Sequence, residues 1–166
     1  ETCALTTQLM KQGLPVIHSA PLKNGRRHLQ GIADLLIRSD YLGRIIQHNP
    51  LTPEQQIIRA PRLNGRYHYV VVDIKFSTLP LRANGRELTN PGLYPPYKSQ
   101  LGVYTQIVGD IQGYTSPLAF ILGRRWKYTS KEIRYCGFNC LERLGVIDYS
   151  GVDEVYKYKT KEAISW

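Results

Sequence analysis

Tyr67-His68-Tyr69-Val70-Val71-Val72-Asp73-Ile74-Lys75-Phe76-Ser77 is the run on which the fold turns. It is filled with β-branched and aromatic side chains, the composition of a pleated strand, and so predicts a strand over residues 66–77 lying centrally in a sheet. Successive side chains of an extended chain point to opposite faces. Asp73 and Lys75 therefore emerge side by side, while Ile74 is expected to face the core and to offer its backbone carbonyl near the same edge.

Working outward, residues 27–38 read as a second strand, in which Asp34 alone interrupts the apolar Gly31-Ile32-Ala33-Asp34-Leu35-Leu36-Ile37. Residues 15–22 read as another strand. The intervening Lys23-Asn24-Gly25-Arg26 carries an Asn-Gly turn signal, which makes the two strands a hairpin. Leu5 and Leu9 at helical spacing, stopped by Gly13 and Pro15, predict a first helix over residues 2–12 that opens in mid-helix, as a truncated end would. Residues 39–65, with Pro50, Pro53 and Pro61, read as a loop or short helical excursion closed by Asn64-Gly65. A Gly/Pro/Asn-rich connection over residues 79–96 leads into a helix over 97–109. Residues 117–122 form a short buried strand, and 124–128 are read as extending it. The tail over 133–166 mixes helical and strand signals and ends without a terminus signal, so the expectation is one domain, residues 1–166, excised from a longer polypeptide. The fold class is α/β: a central mixed β-sheet flanked by helices.

A chain of 166 residues, 42% hydrophobic, suffices for one domain with a real core. Twenty-two Lys and Arg against thirteen Asp and Glu give a net charge of +9. That favours polyanionic partners, nucleic acid or an acidic membrane surface, although a merely basic surface has the same composition. No apolar run approaches the roughly 18 residues of a membrane span, and residues from Glu1 onward lack the features of a signal peptide. The expectation is an intracellular protein, cytoplasmic, nucleoid-associated, nuclear or virus-encoded, without membrane attachment. Cys3, Cys136 and Cys140 are an odd set, unlike a secreted disulfide framework. Cys136 and Cys140 are spaced to share one face of a helix turn, either in a metal site or as ordinary half-buried thiols.

Two carboxylates and an ammonium at the end of an apolar sheet are costly to bury unless they pair or bind metal. A divalent ion held by Asp34 and Asp73 relieves that cost. Phosphodiester hydrolysis needs such a cation to polarise the phosphate and acidify the attacking water, and Mg²⁺ or Mn²⁺ takes oxygen ligands of this kind. Lys75 beside it would orient the water or neutralise transition-state charge. Taken alone, Asp73-x-Lys75 also describes an ion pair on an exposed strand edge.

Gly31-Ile32-Ala33-Asp34, Val72-Asp73-Ile74-Lys75 and Gln100-Leu101-Gly102-Val103-Tyr104 follow one another on strand, strand and helix. In this the chain resembles the PD-(D/E)XK nucleases, and among them the RecB-like branch that includes the CRISPR-associated adaptation nucleases. The resemblance spans about residues 6–123 and leaves 124–166 as a C-terminal extension. It implies a restriction-endonuclease-like core and a Mg²⁺- or Mn²⁺-dependent deoxyribonuclease, often an exonuclease, of DNA repair, recombination or processing. Asp34, Asp73 and the Ile74 carbonyl would hold metal, Lys75 would be catalytic, and Gln100 and Tyr104 would support substrate or active-site geometry. DNA, as single strands or duplex ends, and further domains of a larger polypeptide are the implied partners.

The resemblance is incomplete in two places. Relatives commonly carry a Glu on the first helix and a His before the Gly-x-x-Asp strand; here Glu1 stands at a truncated end, and His18 is a positional candidate for metal ligation that reads equally as a strand histidine satisfied by neighbours. The branch also often holds a four-cysteine iron-sulfur cluster, whose ligands three cysteines do not supply, so no cluster is expected. Gln100 and Tyr104, four apart, share a helix face, which also suits a surface Gln and a core Tyr.

Aromatic and basic residues interleave in Tyr94-Pro95-Pro96-Tyr97-Lys98 and Arg124-Arg125-Trp126-Lys127-Tyr128. Such stretches stack on unpaired bases while binding phosphates, and are equally typical of strands with snorkelling side chains. Tyr97, Lys98, Arg124 and Arg125 are the candidate nucleic-acid contacts, with the two arginines preferred. Two other readings compete: a catalytically silent nucleic-acid-binding module of the same fold, and a different Mg²⁺-dependent enzyme such as a phosphatase. The chain has no Gly-rich phosphate loop ending in Lys-Ser/Thr, which weighs against the second.

Overall fold

A computed structural model describes residues 2–159 of the chain. In order, its elements are α1 (Thr2–Gln12), β1 (Val16–Asn24), β2 (Leu29–Arg38), the one-turn helices α2 (Leu42–Ile45) and α3 (Pro53–Gln56), β3 (Tyr69–Ile74), β4 (Thr78–Pro80), α4 (Tyr94–Gln112), β5 (Leu118–Leu122), β6 (Arg125–Ser130), β7 (Ile133–Gly137) and β8 (Gly145–Asp148), followed by a 3₁₀ turn, Glu154–Tyr156. Five strands form a mixed sheet in the order β1-β2-β3-β5-β8, and β4-β6-β7 form a small second sheet. Only β3 and β5 run parallel within the larger sheet; its other pairings are antiparallel. The architecture is α/β, a mixed sheet flanked by helices.

β3 is the middle strand because both its faces are apolar. Tyr69 and Val71 bury among residues of α4, while Val70 and Val72 bury on the opposite face with Leu42, Leu118 and Phe120. The connection from β3 to the parallel β5 runs through α4, as a crossover between parallel neighbours requires. Consequently the carboxyl ends of β3 and β5 open on the same edge, where ligands of open α/β sheets bind.

The β1–β2 hairpin forms where Asn24-Gly25 marks it, through the asparagine. Asn24 Oδ1 accepts the N–H groups of Arg26 and Arg27 at 3.1 and 3.2 Å, an Asx turn, and the left-handed residue is His28 (φ 53°), not Gly25. α4 starts at Tyr94, three residues before the expected start, because Pro95 and Pro96 occupy its first turn, where a missing N–H costs no helical hydrogen bond. It ends at Gly113, left-handed with φ 83°. Gln112, fully buried, binds Tyr69 twice, accepting its N–H at 2.8 Å and donating to its carbonyl at 3.1 Å. That pair of hydrogen bonds pins the helix end to the start of β3.

Three expectations change. Residues 124–128 do not extend β5: the chain leaves the large sheet after Leu122, and β6 pairs with β4 and β7 instead. Ile74 does not face the core; as the last residue of β3 it is 48% exposed. Cys136 and Cys140 do not share a helix turn, since Cys136 lies on β7 and Cys140 in the turn that follows. Beyond Gly123 the chain also returns to the large sheet, where β8 pairs antiparallel with β5 and buries Val146 and Ile147. Among the described residues no helix is long and apolar enough to cross a membrane.

The segment after β8 is fastened to α4 by a buried ion pair. Lys98 and Asp153 are both fully buried, with Nζ 2.5 Å from Oδ1; Nζ also donates to the Leu88 carbonyl at 2.9 Å, and Asp153 Oδ2 accepts the Asp148 N–H at 3.0 Å. Removing one partner of such a pair strands the other charge in a medium that cannot solvate it. Lys98→Ala is expected to lower stability by about 3–5 kcal/mol, measured as a fall in the urea midpoint.

Candidate active site

Asp73 is the penultimate residue of β3 and Asp34 lies on the neighbouring β2. The register that pairs Leu35 with Val72 carries Asp34 opposite Asp73. The Asp34 carboxylate stands beside that of Asp73 and raises its proton affinity. Asp34 Oδ2 also accepts the Ile74 N–H at 2.8 Å, which orients its carboxylate along the end of β3. At the same level β1 has an irregular residue, Ser19, with φ 48°. Ala33 and Leu36, an odd number of residues apart, both bury in the cluster that holds α4, so the alternation of β2 slips between them, where Asp34 sits.

Lys75 follows β3 directly, and its N–H donates to the Leu122 carbonyl at 3.0 Å, which continues the β3–β5 ladder. Its Nζ lies 2.9 Å from Asp73 Oδ2 and 4.3 Å from the centroid of the Tyr97 ring. An ammonium over an aromatic face is held by the ring quadrupole. Tyr97 packs edge-on against Tyr94, whose Oη is 2.9 Å from Ser77 Oγ. The first turn of α4 is thus bound to the residues just past β3.

Burial pushes the Asp73 carboxyl up to about 6; the Lys75 ammonium opposes the shift, and the Asp34 carboxylate adds to it. Burial pulls the Lys75 ammonium down, but the Asp73 partner outweighs it and holds the group above its ordinary value. Asp73 Oδ2 is buried without an aligned hydrogen-bond donor, its close neighbour being the ammonium of the ion pair. A desolvated carboxylate beside a second carboxylate, with one ammonium between two acids, is a place where a further cation is favoured.

Gln100 and Tyr104 lie on the same face of α4, with Gln100 Nε2 3.1 Å from Tyr104 Oη. Tyr104 packs onto Gly31 of β2, where an added Cβ would meet its Cε1 at 2.3 Å. Glycine at position 31 is what lets the Tyr104 ring cover the strand that carries Asp34. Gln100 itself is exposed.

The remaining candidates divide. His18 is exposed, its Nε2 lies 3.0 Å from Ser19 Oγ, and it pairs across the hairpin with Leu35 rather than Asp34. Among the described residues no group of three or more His, Cys, Asp or Glu could hold a metal ion, so His18 is not brought to the two carboxylates. Lys98 is not a phosphate contact, because it is fully buried on Asp153. Tyr97 touches the Lys75 ammonium and is half-buried. Arg124 and Arg125 are exposed, and the Arg124 N–H donates to the Ser77 carbonyl at 2.8 Å, which puts it beside the Lys75 turn. Glu1, the first-helix acid, lies outside the described residues, as do residues 160–166 of the tail.

Sequence reasoning missed Ser77, Tyr94 and Phe76. Phe76 is 85% exposed at the tip of a tight turn in which the Ser77 N–H donates to the Lys75 carbonyl at 2.8 Å. An aromatic directly after Asp-x-Lys was visible in the sequence, but its exposure was not. Comparison of the chain with known protein families and with curated proteins found no match.

With the folded Asp73 carboxyl raised above its ordinary value, the proton is bound more tightly in the native state than in the unfolded chain. The metal-free protein therefore loses stability as pH rises from about 4 through about 6. In EDTA, Asp73→Asn should abolish that part of the pH dependence, read from melting temperature against pH. An unchanged slope in the variant would show that Asp73 is not the titrating group.

Proposed function

We propose that the protein is a Mg²⁺- or Mn²⁺-dependent deoxyribonuclease. The observation that carries this reading is the constellation of Asp34, Asp73 and Lys75: two abutting carboxylates, one of them desolvated, with an ammonium 2.9 Å away at the open edge of a parallel strand pair. A restriction-endonuclease-like core is the finer reading of the fold. It is supported by the five-stranded mixed sheet, whose central strand ends in Asp-x-Lys and whose neighbour brings the second aspartate.

The donor set suits a hard, partly hydrated cation. Mg²⁺ binds through one or two carboxylates and keeps several waters, so Asp34, Asp73 and the Ile74 carbonyl are enough protein ligands for it. When bound, such an ion supplies the Lewis acidity that polarises a phosphodiester and acidifies water. Asp34 and Asp73 hold the ion in place, each steadied in turn, by the Ile74 N–H and by Lys75. The Lys75 ammonium, kept charged by Asp73 and positioned by Tyr97, neutralises negative charge growing on the phosphoryl oxygens. Gln100 and Tyr104, on the face of α4 that covers β2, take the supporting role that the resemblance implies, and Arg124 and Arg125 on the neighbouring edge contact flanking phosphates. DNA acted on in repair, recombination or processing is the substrate, with cutting at ends favoured by the resemblance.

Linear and circular DNA incubated with Mg²⁺, Mn²⁺ or EDTA test the reading. Cleavage is expected with either metal and not with EDTA. Lys75→Ala should slow it by about 10²–10³-fold, the loss typical of one preorganised charge partner, and Asp73→Ala should remove it. Cleavage unaffected by both substitutions would overturn the assignment, and DNA binding without any cleavage would mark a silent binding module.

A further inference from the structure

β7 is exposed along almost its whole length, and the β6–β7 register sorts its side chains into two faces. On one face Trp126 and Tyr128 stack with Tyr135 against Arg143. On the other, the pairing of Trp126 with Gly137 places Arg125 opposite Phe138, Lys127 opposite Cys136, and Thr129 opposite Arg134. All six of these side chains are exposed. Three are cations and none is an acid; Glu132 lies in the turn.

Two phenylalanines stand out on this surface because they bury almost nothing. Phe138 is 73% exposed with the Arg125 guanidinium 4.9 Å from its ring centroid, and Phe76 is 85% exposed with that of Arg124 at 4.8 Å. Arg124 and Arg125 are consecutive and Phe76 directly follows Lys75, so both ring–guanidinium pairs lie at the end of β6 nearest the active site. From the active-site edge outward the order is Phe76–Arg124, Arg125–Phe138, then Lys127 and Arg134. Between Arg125 and Thr129 the strand spans about 13 Å, and a groove of about 390 Å³ lined on this face by Lys127, Thr129, Arg134 and Cys136 runs along it.

We propose that this face of the β6–β7 hairpin, together with Phe76, is a track for unpaired DNA that leads a single strand to Asp34 and Asp73. The assignment rests on the nuclease reading for the identity of the site it feeds. Phenylalanine rings stack on bases whose faces are free, and every base of a single strand has a free face, whereas duplex bases are stacked on one another. The two rings serve bases at the active-site end and the cations beside and beyond them serve phosphates, since each arginine, held over its ring, keeps guanidinium N–H groups for phosphate oxygens. A duplex would gain from the cations alone.

The test is fluorescence anisotropy in EDTA with the whole chain, a labelled single-stranded oligonucleotide and the blunt duplex of the same length, using Phe76→Ala and Phe138→Ala. Both positions are exposed, so unchanged melting temperatures certify the fold. The expected result is a loss of roughly tenfold in single-strand affinity for each variant, with duplex affinity within about twofold of the parent. Equal losses on both ligands, or no loss on either, would overturn the track. Metal-dependent cleavage by the parent is measured in parallel: cleavage without a stacking effect discards the track alone, and selective single-strand binding without cleavage discards the nuclease reading alone.

Discussion

The proposed chemistry depends on one buried carboxylate. Asp73 is 5% exposed, at the end of the strand that the whole sheet is built around, and a second carboxylate faces it from β2. A charge so placed costs several kcal/mol of lost hydration, and the Lys75 ammonium at 2.9 Å offsets part of that. What is left unbalanced is a desolvated oxygen without an aligned donor, beside more negative charge. The fold holds that arrangement by surrounding it with elements that cannot relax independently.

α4 is the main restraint. Its first turn binds the residues after β3 through Tyr94 and Tyr97, its middle lays Tyr104 on Gly31, and its end bonds Gln112 to the start of β3. Both strands that carry an aspartate are thereby tied to one rigid helix. The helix is itself fixed from the far side by Lys98 on Asp153, which draws in the chain after β8. A lysine that reads in sequence as a phosphate contact thus has a structural role, and the exposed cations that remain beside the site are on the β5–β6 turn and β6. Charge near the site is divided accordingly, with the acids inside and the arginines at the rim.

The central sheet was legible because burial on both sides writes an unbroken β-branched run into β3, and a single acid in an apolar strand flags Asp34. The hairpin before it was legible through Asn24, although the side-chain bonds of the asparagine and not the freedom of Gly25 make the turn. By contrast, β6–β7 turns at Lys131 and Glu132, with φ of 48° and 66°, a primed hairpin turn without the glycine or asparagine that announces one. Nothing local to Lys98 reveals Asp153, 55 residues away, and nothing local to Lys75 reveals that Tyr97 lies beneath its ammonium. Pair geometry between distant segments was the missing information. The orientation of Ile74 failed for a simpler reason: strand alternation assumes cover on both faces, and at the end of β3 that cover stops.

Isothermal titration of the metal-free protein with Mn²⁺, compared between the parent, Asp34→Asn and Asp73→Asn, probes the pairing of the two carboxylates most directly. Asparagine keeps the shape and removes the charge. Mn²⁺ is expected to bind the parent and to bind at least roughly tenfold more weakly to either variant. Equal Mn²⁺ affinity in all three proteins would show that the two carboxylates do not hold a metal ion together.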